Sequence, residues 1–314
     1  MVLVACLGGC ARATQPAVAV GGGSALVDRS PSWMAEGAPA AKSLLYVSDA
    51  GTFDVDVYTF PDLKPAGKLT GLSEPQGECS DSHGNVWIAN TVSLQILEYA
   101  HGGKHAIRTL RDPTGYPGGC AVEAASGDVA VTNFFNGSGA GGVLIYRAGR
   151  GTPTPYFNPA VTYYYFDGYD AAGDLYVSGA SGGGTYVLSV LPHGRHALTS
   201  LSVRGATIHF PGTVQWLGKT LVLGDQECDG KKSACFYEGS RSGMSVTITH
   251  KTALAGSCDV AQGWIQSGRI AGADYDDCGG GRSGAYLWKY PGGRAALRRV
   301  TGLVRPIGAT ISNR

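Results

Sequence analysis

The chain has 314 residues, 16% of them charged, with 25 Lys and Arg against 24 Asp and Glu for a net charge of +1. Basic residues occur singly or in pairs such as Lys231-Lys232 and Arg298-Arg299, which excludes the clustered stripe that nucleic acid requires. The 49 glycines follow no three-residue period, which excludes collagen; they suit short strands joined by tight turns.

Residues 1–10 read as an export segment. Val2-Leu3-Val4-Ala5 is apolar, and Leu7-Gly8-Gly9-Cys10 resembles the bacterial lipobox, in which small residues precede a cysteine that becomes lipidated. The resemblance implies a membrane tether through acyl chains on Cys10 and an extracytoplasmic location, in the bacterial envelope or secreted. No Lys or Arg precedes the apolar stretch, and the stretch is short, which departs from the full pattern. No other segment approaches the ~18 apolar residues of a membrane span. Residues 11–41, rich in Ala, Gly, Pro and Ser, read as a flexible tether.

From residue 42 to 314 the sequence predicts one domain. A β-branched or aliphatic strand ending in a polar turn residue recurs six times, at Leu44–Asp49, Asn85–Asn90, Asp128–Asn133, Asp174–Gly179, Thr220–Asp225 and Arg269–Asp274. The interval of just over forty to just under fifty residues is that of a four-stranded propeller blade. A shorter strand precedes each copy, as in Pro75–Ser80, Pro117–Val122 and Pro211–Trp216, and two more follow it across a glycine turn such as His101-Gly102-Gly103-Lys104. The chain opens this pattern with a second strand lacking its first, and Pro306–Ser312 is a first strand lacking its second. The expected fold is therefore all-β: a six-bladed β-propeller of four-stranded antiparallel blades, closed when the C-terminal strand joins the N-terminal blade.

The run Pro75-Gln76-Gly77, followed by Asp81-Ser82-His83-Gly84-Asn85-Val86-Trp87-Ile88-Ala89-Asn90, resembles the NHL repeat, and the resemblance extends from about Lys42 to the end. It implies the propeller fold without an activity, since such propellers serve as enzymes, scaffolds and receptors. A distant likeness to gluconolactonase-like propellers rests on Asp167-Gly168 and, loosely, on Glu74-Pro75; the Asn-Gly element of that family is not reproduced. Streptogramin-lyase-like propellers are similar in repeat but use His with Glu, and His209 is the histidine expected on the loop face.

Besides Cys6 and Cys10, six cysteines remain in the domain, an even count that favours disulfides over a zinc site because no Cys-x-x-Cys knuckle is present. Cys228 with Cys235, Cys79 with Cys120, and Cys258 with Cys278 are the expected pairs.

The loops that leave second strands and enter first strands share one face, which is expected to gather Glu74, Asn133, Asp167, Asp225, Asp274 and Asp276. Such carboxylates suit Ca2+ or another divalent cation, or acid–base chemistry; the plainer alternative is that Asp or Asn at a strand end caps the turn. The expected function is that of an exported, non-catalytic binding or scaffold propeller whose ligand is a protein, peptide or glycan. The alternative is a metal-dependent hydrolase, lactonase or lyase working at the channel mouth.

Overall fold

Runs such as Leu44-Leu45-Tyr46-Val47 are apolar at every position rather than alternately, the pattern of a strand covered on both faces. A computed structural model describes residues 30–136, 139–275 and 278–314, and in it this segment is buried throughout. No α-helix occurs among the described residues, and no helix there is long and apolar enough to cross a membrane.

The first sheet contains β1 (Trp33–Met34), β2 (Ser43–Asp49), β3 (Asp54–Thr59) and β4 (Pro65–Leu69). A four-stranded meander follows, of β5 (Pro75–Ser80), β6 (Val86–Asn90), β7 (Gln95–Tyr99) and β8 (Ala106–Arg111). Another comprises β9 (Gly115–Val122), β10 (Val129–Asn136), β11 (Gly139–Tyr146) and β12 (Thr154–Tyr156). The next strands are β13 (Tyr163–Tyr169), β14 (Leu175–Ala180), β15 (Tyr186–Leu191), β16 (Thr199–Arg204), β17 (Pro211–Leu217) and β18 (Thr220–Asp225). Then come β19 (Cys235–Ser242), β20 (Ser245–Ala255), β21 (Val260–Gln266), β22 (Arg269–Asp274), β23 (Gly284–Lys289), β24 (Gly293–Thr301) and β25 (Pro306–Asn313).

The pairings make four sheets rather than six separate ones, because β13–β24 form one 12-stranded sheet. Within it, consecutive strands pair antiparallel in the sets β13–β16, β17–β20 and β21–β24. The long outer strand β20 then bridges its neighbours through short parallel contacts with β16 and β24. β25 returns to pair antiparallel with β2, from Ser43↔Asn313 to Asp49↔Pro306, so the two ends of the domain share a sheet as expected.

The stretch 11–41, expected to be a tether, is corrected over its last residues. β1 pairs with β4 through Trp33↔Lys68 and Met34↔Gly67, and Ala38 is buried. Two residues of strand are too few for periodicity to reveal. Residues 1–29, with Cys10, lie outside the described residues.

Six strands line the axis: β5 packs against β9, β9 against β13, β13 against β17, β17 against β21, β21 against β25 and β25 against β5. Their approach is so close that a Cβ on Gly77 would lie 2.6 Å from the carbonyl oxygen of Gly118. Side-chain bonds fasten the neighbours. Ser48 Oγ donates to the Gln76 carbonyl, Thr132 Oγ1 to that of Tyr165 (2.6 Å) and Ser178 Oγ to that of Gly212 (2.9 Å). All three occupy the penultimate position of the recurring second-strand motif. In β6 that position is Ala89, and there the disulfide Cys79–Cys120 joins β5 to β9 instead. Cys228–Cys235 and Cys258–Cys278 complete the set of disulfides among the described residues. Disulfides belong to an oxidising, extracytoplasmic environment.

Candidate functional site

The polar residues that end the second strands are latches. Asp49 Oδ1 accepts the N–H groups of Gly51 (2.9 Å) and Arg305 (2.8 Å), and Oδ2 accepts that of Val304 (2.7 Å). Asn90 Oδ1 accepts the Ser73 N–H at 2.6 Å. Asp225 Oδ2 accepts the His209 N–H (3.0 Å), and Oδ1 accepts those of Phe210 (2.9 Å) and Glu227 (3.0 Å). Asp274 Oδ1 accepts the N–H groups of Cys258 (2.9 Å) and Asp259 (3.0 Å). Asn133 Nδ2 donates to Thr114 Oγ1 at 3.0 Å. In each case the side chain ties the end of one strand to the loop entering its neighbour; Asp49, Asn90, Asp225 and Asp274 supply the acceptor that a buried loop N–H needs and the sheet cannot provide, while Asn133 donates to a loop hydroxyl. Turn capping thus accounts for the recurrence of Asp and Asn.

Glu74 stands in left-handed backbone (φ 48°), and its Oε2 pairs with Arg305 Nη2 at 3.1 Å. Asp276 lies outside the described residues. Nδ1 of His209 is 3.6 Å from Asp225 Oδ2, so the nearest carboxylate to this imidazole already holds three loop N–H groups. Among the described residues, no three His, Cys, Asp or Glu side chains come together as a metal site would require.

At this loop end the axis is stoppered by apolar groups. Phe134, Tyr165, Phe166, Phe210 and Ile307 pack together with Ala50, Ala180 and Ala261. The rings of Phe134 and Phe210 each meet Tyr165 edge-on, with centroids 5.4 Å apart. Tyr165 and Phe166 of the aromatic run therefore help close the axis with Tyr163 against them, whereas Tyr164 packs with Val161, Leu175 and Val177. Around the stopper, Val92, Leu94, Phe157 and Val304 are exposed on the connecting loops, and Tyr116 lies against Phe135 at 5.0 Å.

Asp167 requires a correction. Asp225 and Asp274 pair in register with the first residues of β17 and β21, whereas Asp167 pairs with Val177, two residues from the opposite end of its hairpin. It therefore belongs to the turn end of the axis and does not join the loop-end carboxylates. The Asp-Gly dipeptide located the strand but not the depth of the acid within it. Asp167 is 6% exposed, neither of its carboxyl oxygens has a partner among the described residues, and burial pushes its pKa well above the usual carboxylate range.

Glu78 on β5, which the sequence reading passed over, is in the same condition. It is fully buried, both carboxyl oxygens are unpartnered among the described residues, and desolvation pushes its pKa well up. Its backbone is gripped by Gln262, whose Oε1 accepts the Glu78 N–H (2.8 Å) and whose Nε2 donates to the Glu78 carbonyl (2.6 Å). The signal lay in Pro75-Gln76-Gly77-Glu78, where an acid stands at an inner-strand position that is Cys120 in the corresponding Pro117-Gly118-Gly119-Cys120.

No protein-family model matches the sequence, and no curated protein does. Solved structures resemble it in fold. A chain of the nidogen/laminin complex superposes with a TM-score of 0.66 at 12% identity, over 86% of this chain and 98% of that one. A gluconolactonase from Xanthomonas campestris gives 0.57 at 12% identity, over 93% and 92%. The β-propeller domain of Swd1 from Myceliophteria thermophila gives 0.56 at 12% identity, over 87% and 86%. At such identities the likeness establishes fold alone: the chain is an all-β protein of the β-propeller class. These relatives in shape include a lactonase and a chain from a protein complex, so the fold does not select between catalysis and binding.

Proposed function

We propose that this chain is an exported, non-catalytic binding propeller of six four-stranded blades built from NHL-type repeats, held at a bacterial envelope through Cys10. Its ligand is a protein or peptide segment carrying apolar side chains, taken on the loop end. The observation that carries the reading is the pairing of latched acids with an apolar surface. Asp49, Asp225 and Asp274 are engaged by backbone N–H groups, while Val92, Leu94, Phe157 and Val304 stand exposed around an aromatic stopper. Exposed apolar side chains on the loops of one end are what a protein ligand buries.

The test places a photo-crosslinking residue at Val304 and, as a control, at Asp62, which is exposed in the β3–β4 turn at the opposite end of the strands. Peptides selected on the wild-type chain should crosslink from position 304 and not from 62, and should lose binding in Phe157→Asp and Val92→Asp. Selection of peptides indifferent to both substitutions would overturn the assignment. The metal-dependent lactonase reading draws on the likeness to the gluconolactonase. Turnover of lactones or esters with added Ca2+ would displace the non-catalytic proposal.

A further inference from the structure

The turn end of the axis holds a cavity of about 110 Å³ walled by the Cys79–Cys120 disulfide, Asp167, Gln215, Trp216 and Trp264. Most polar side chains around it are already engaged. Thr213 Oγ1 accepts the Gly263 N–H (2.8 Å) and donates to the Gly263 carbonyl (3.2 Å). Gln215 takes the Ile265 N–H (2.8 Å) and gives to its carbonyl (3.0 Å). Gln262 holds the Glu78 backbone, and Ser80 Oγ donates to Ile311 (2.9 Å). Among the described residues, two buried groups of the lining are left without a partner: the carboxyl of Asp167, at both oxygens, and the indole N–H of Trp216.

A carboxyl left without donors in such a space is costly, and the chemistry that relieves it is a cation carrying several N–H groups. Indole faces attract the same charge through the ring quadrupole, and the disulfide offers apolar contact to a short alkyl chain. The unpartnered Trp216 N–H calls for an acceptor on the same ligand. We infer that this cavity binds a small amino alcohol, its primary ammonium donating to Asp167 Oδ1 and Oδ2, its hydroxyl oxygen accepting from Trp216 Nε1, and its carbons against Trp264 and the disulfide. Burial that disfavours the empty site's carboxylate is offset once the ammonium arrives, since an opposite charge at contact stabilises the ionised form. The site lies at the other end of the axis from the proposed protein-binding loops and stands or falls independently of them.

The test titrates the whole chain with 2-aminoethanol as its hydrochloride, followed by calorimetry and thermal unfolding, with ethylene glycol and NaCl as controls. Millimolar aminoethanol should raise the melting temperature as ligand binding to the folded state requires, and the two controls should not. Asp167→Asn should weaken binding by about tenfold or more, the scale of about 1.4 kcal/mol for one charge-assisted contact, while its unliganded stability is unchanged or higher. Should that variant fail to fold, Trp264→Leu, at a partly exposed position, carries the same comparison, with binding again weakened. Equal binding of ethylene glycol, undiminished binding in the substituted chain, or no stabilisation of the wild type would overturn the assignment.

Discussion

The two ends of the axis solve the same problem in opposite ways. At the loop end, carboxylates sit where loop N–H groups converge, and Asp49 and Asp225 hold them with both oxygens; the axis itself is closed with phenyl rings. At the turn end, the strands satisfy one another through Thr213, Gln215 and Gln262, and two acids, Asp167 and Glu78, are buried with no partner for their carboxyl oxygens among the described residues. An acid that recurs with the repeat is a device for building the repeat. One that occurs once, against the repeat, is where function is to be sought.

Substitutions at each end sharpen the contrast. Asp49→Ala strips the acceptor from three loop N–H groups at the junction of β2 and β25 and should cost about 5 kcal/mol, measured by urea unfolding. A loss under about 1 kcal/mol would mean that the latch reading is mistaken. Replacing Cys79 and Cys120 together by Ser opens a crosslink spanning 41 residues and should cost about 4 kcal/mol from chain entropy. The same exchange at Cys228 and Cys235, only 7 apart, should cost about 2.5 kcal/mol, so the ratio of the two losses tests whether the wall of the cavity is also the stronger staple.

The smallest effect concerns pH. A carboxyl whose folded pKa is raised keeps its proton in the folded chain after the unfolded chain has released it. Its contribution is complete in acid, below the ordinary carboxylate range, and is lost as pH rises toward the raised value; Glu78 and Asp167 both act in this direction. Glu78→Gln should therefore flatten that decline and stabilise the chain by about 1 kcal/mol at pH 8, with no gain at pH 4. A variant whose stability falls with alkalinity as steeply as the wild type would show that Glu78 is not held neutral.

The recurring strands were legible because each ends in a polar residue after a run of buried aliphatic ones, and the unpaired strand at Pro306 announced its partner at Leu44. The latches were legible as the plainer of two alternatives, since Asp225 and Asp274 could be read as caps or as ligands until the N–H groups facing them were known. Trp33–Met34 was hidden by its brevity. The cavity was hidden for a different reason: its wall draws two to four residues from each of β5, β9, β13, β17 and β21, and no sequence window contains such a set.

The pairing of β2 with β25 also dictates when the domain can exist. Ser43 and Asn313 are partners 270 positions apart, so during synthesis the first sheet has to wait for the last strand. Until residues 306–313 emerge, β2 presents a bare row of N–H and C=O groups to any passing chain. A premature stop ahead of Pro306 would leave an adhesive edge in place of a finished domain, and a chain delivered across a membrane in extended form would assemble only on the far side.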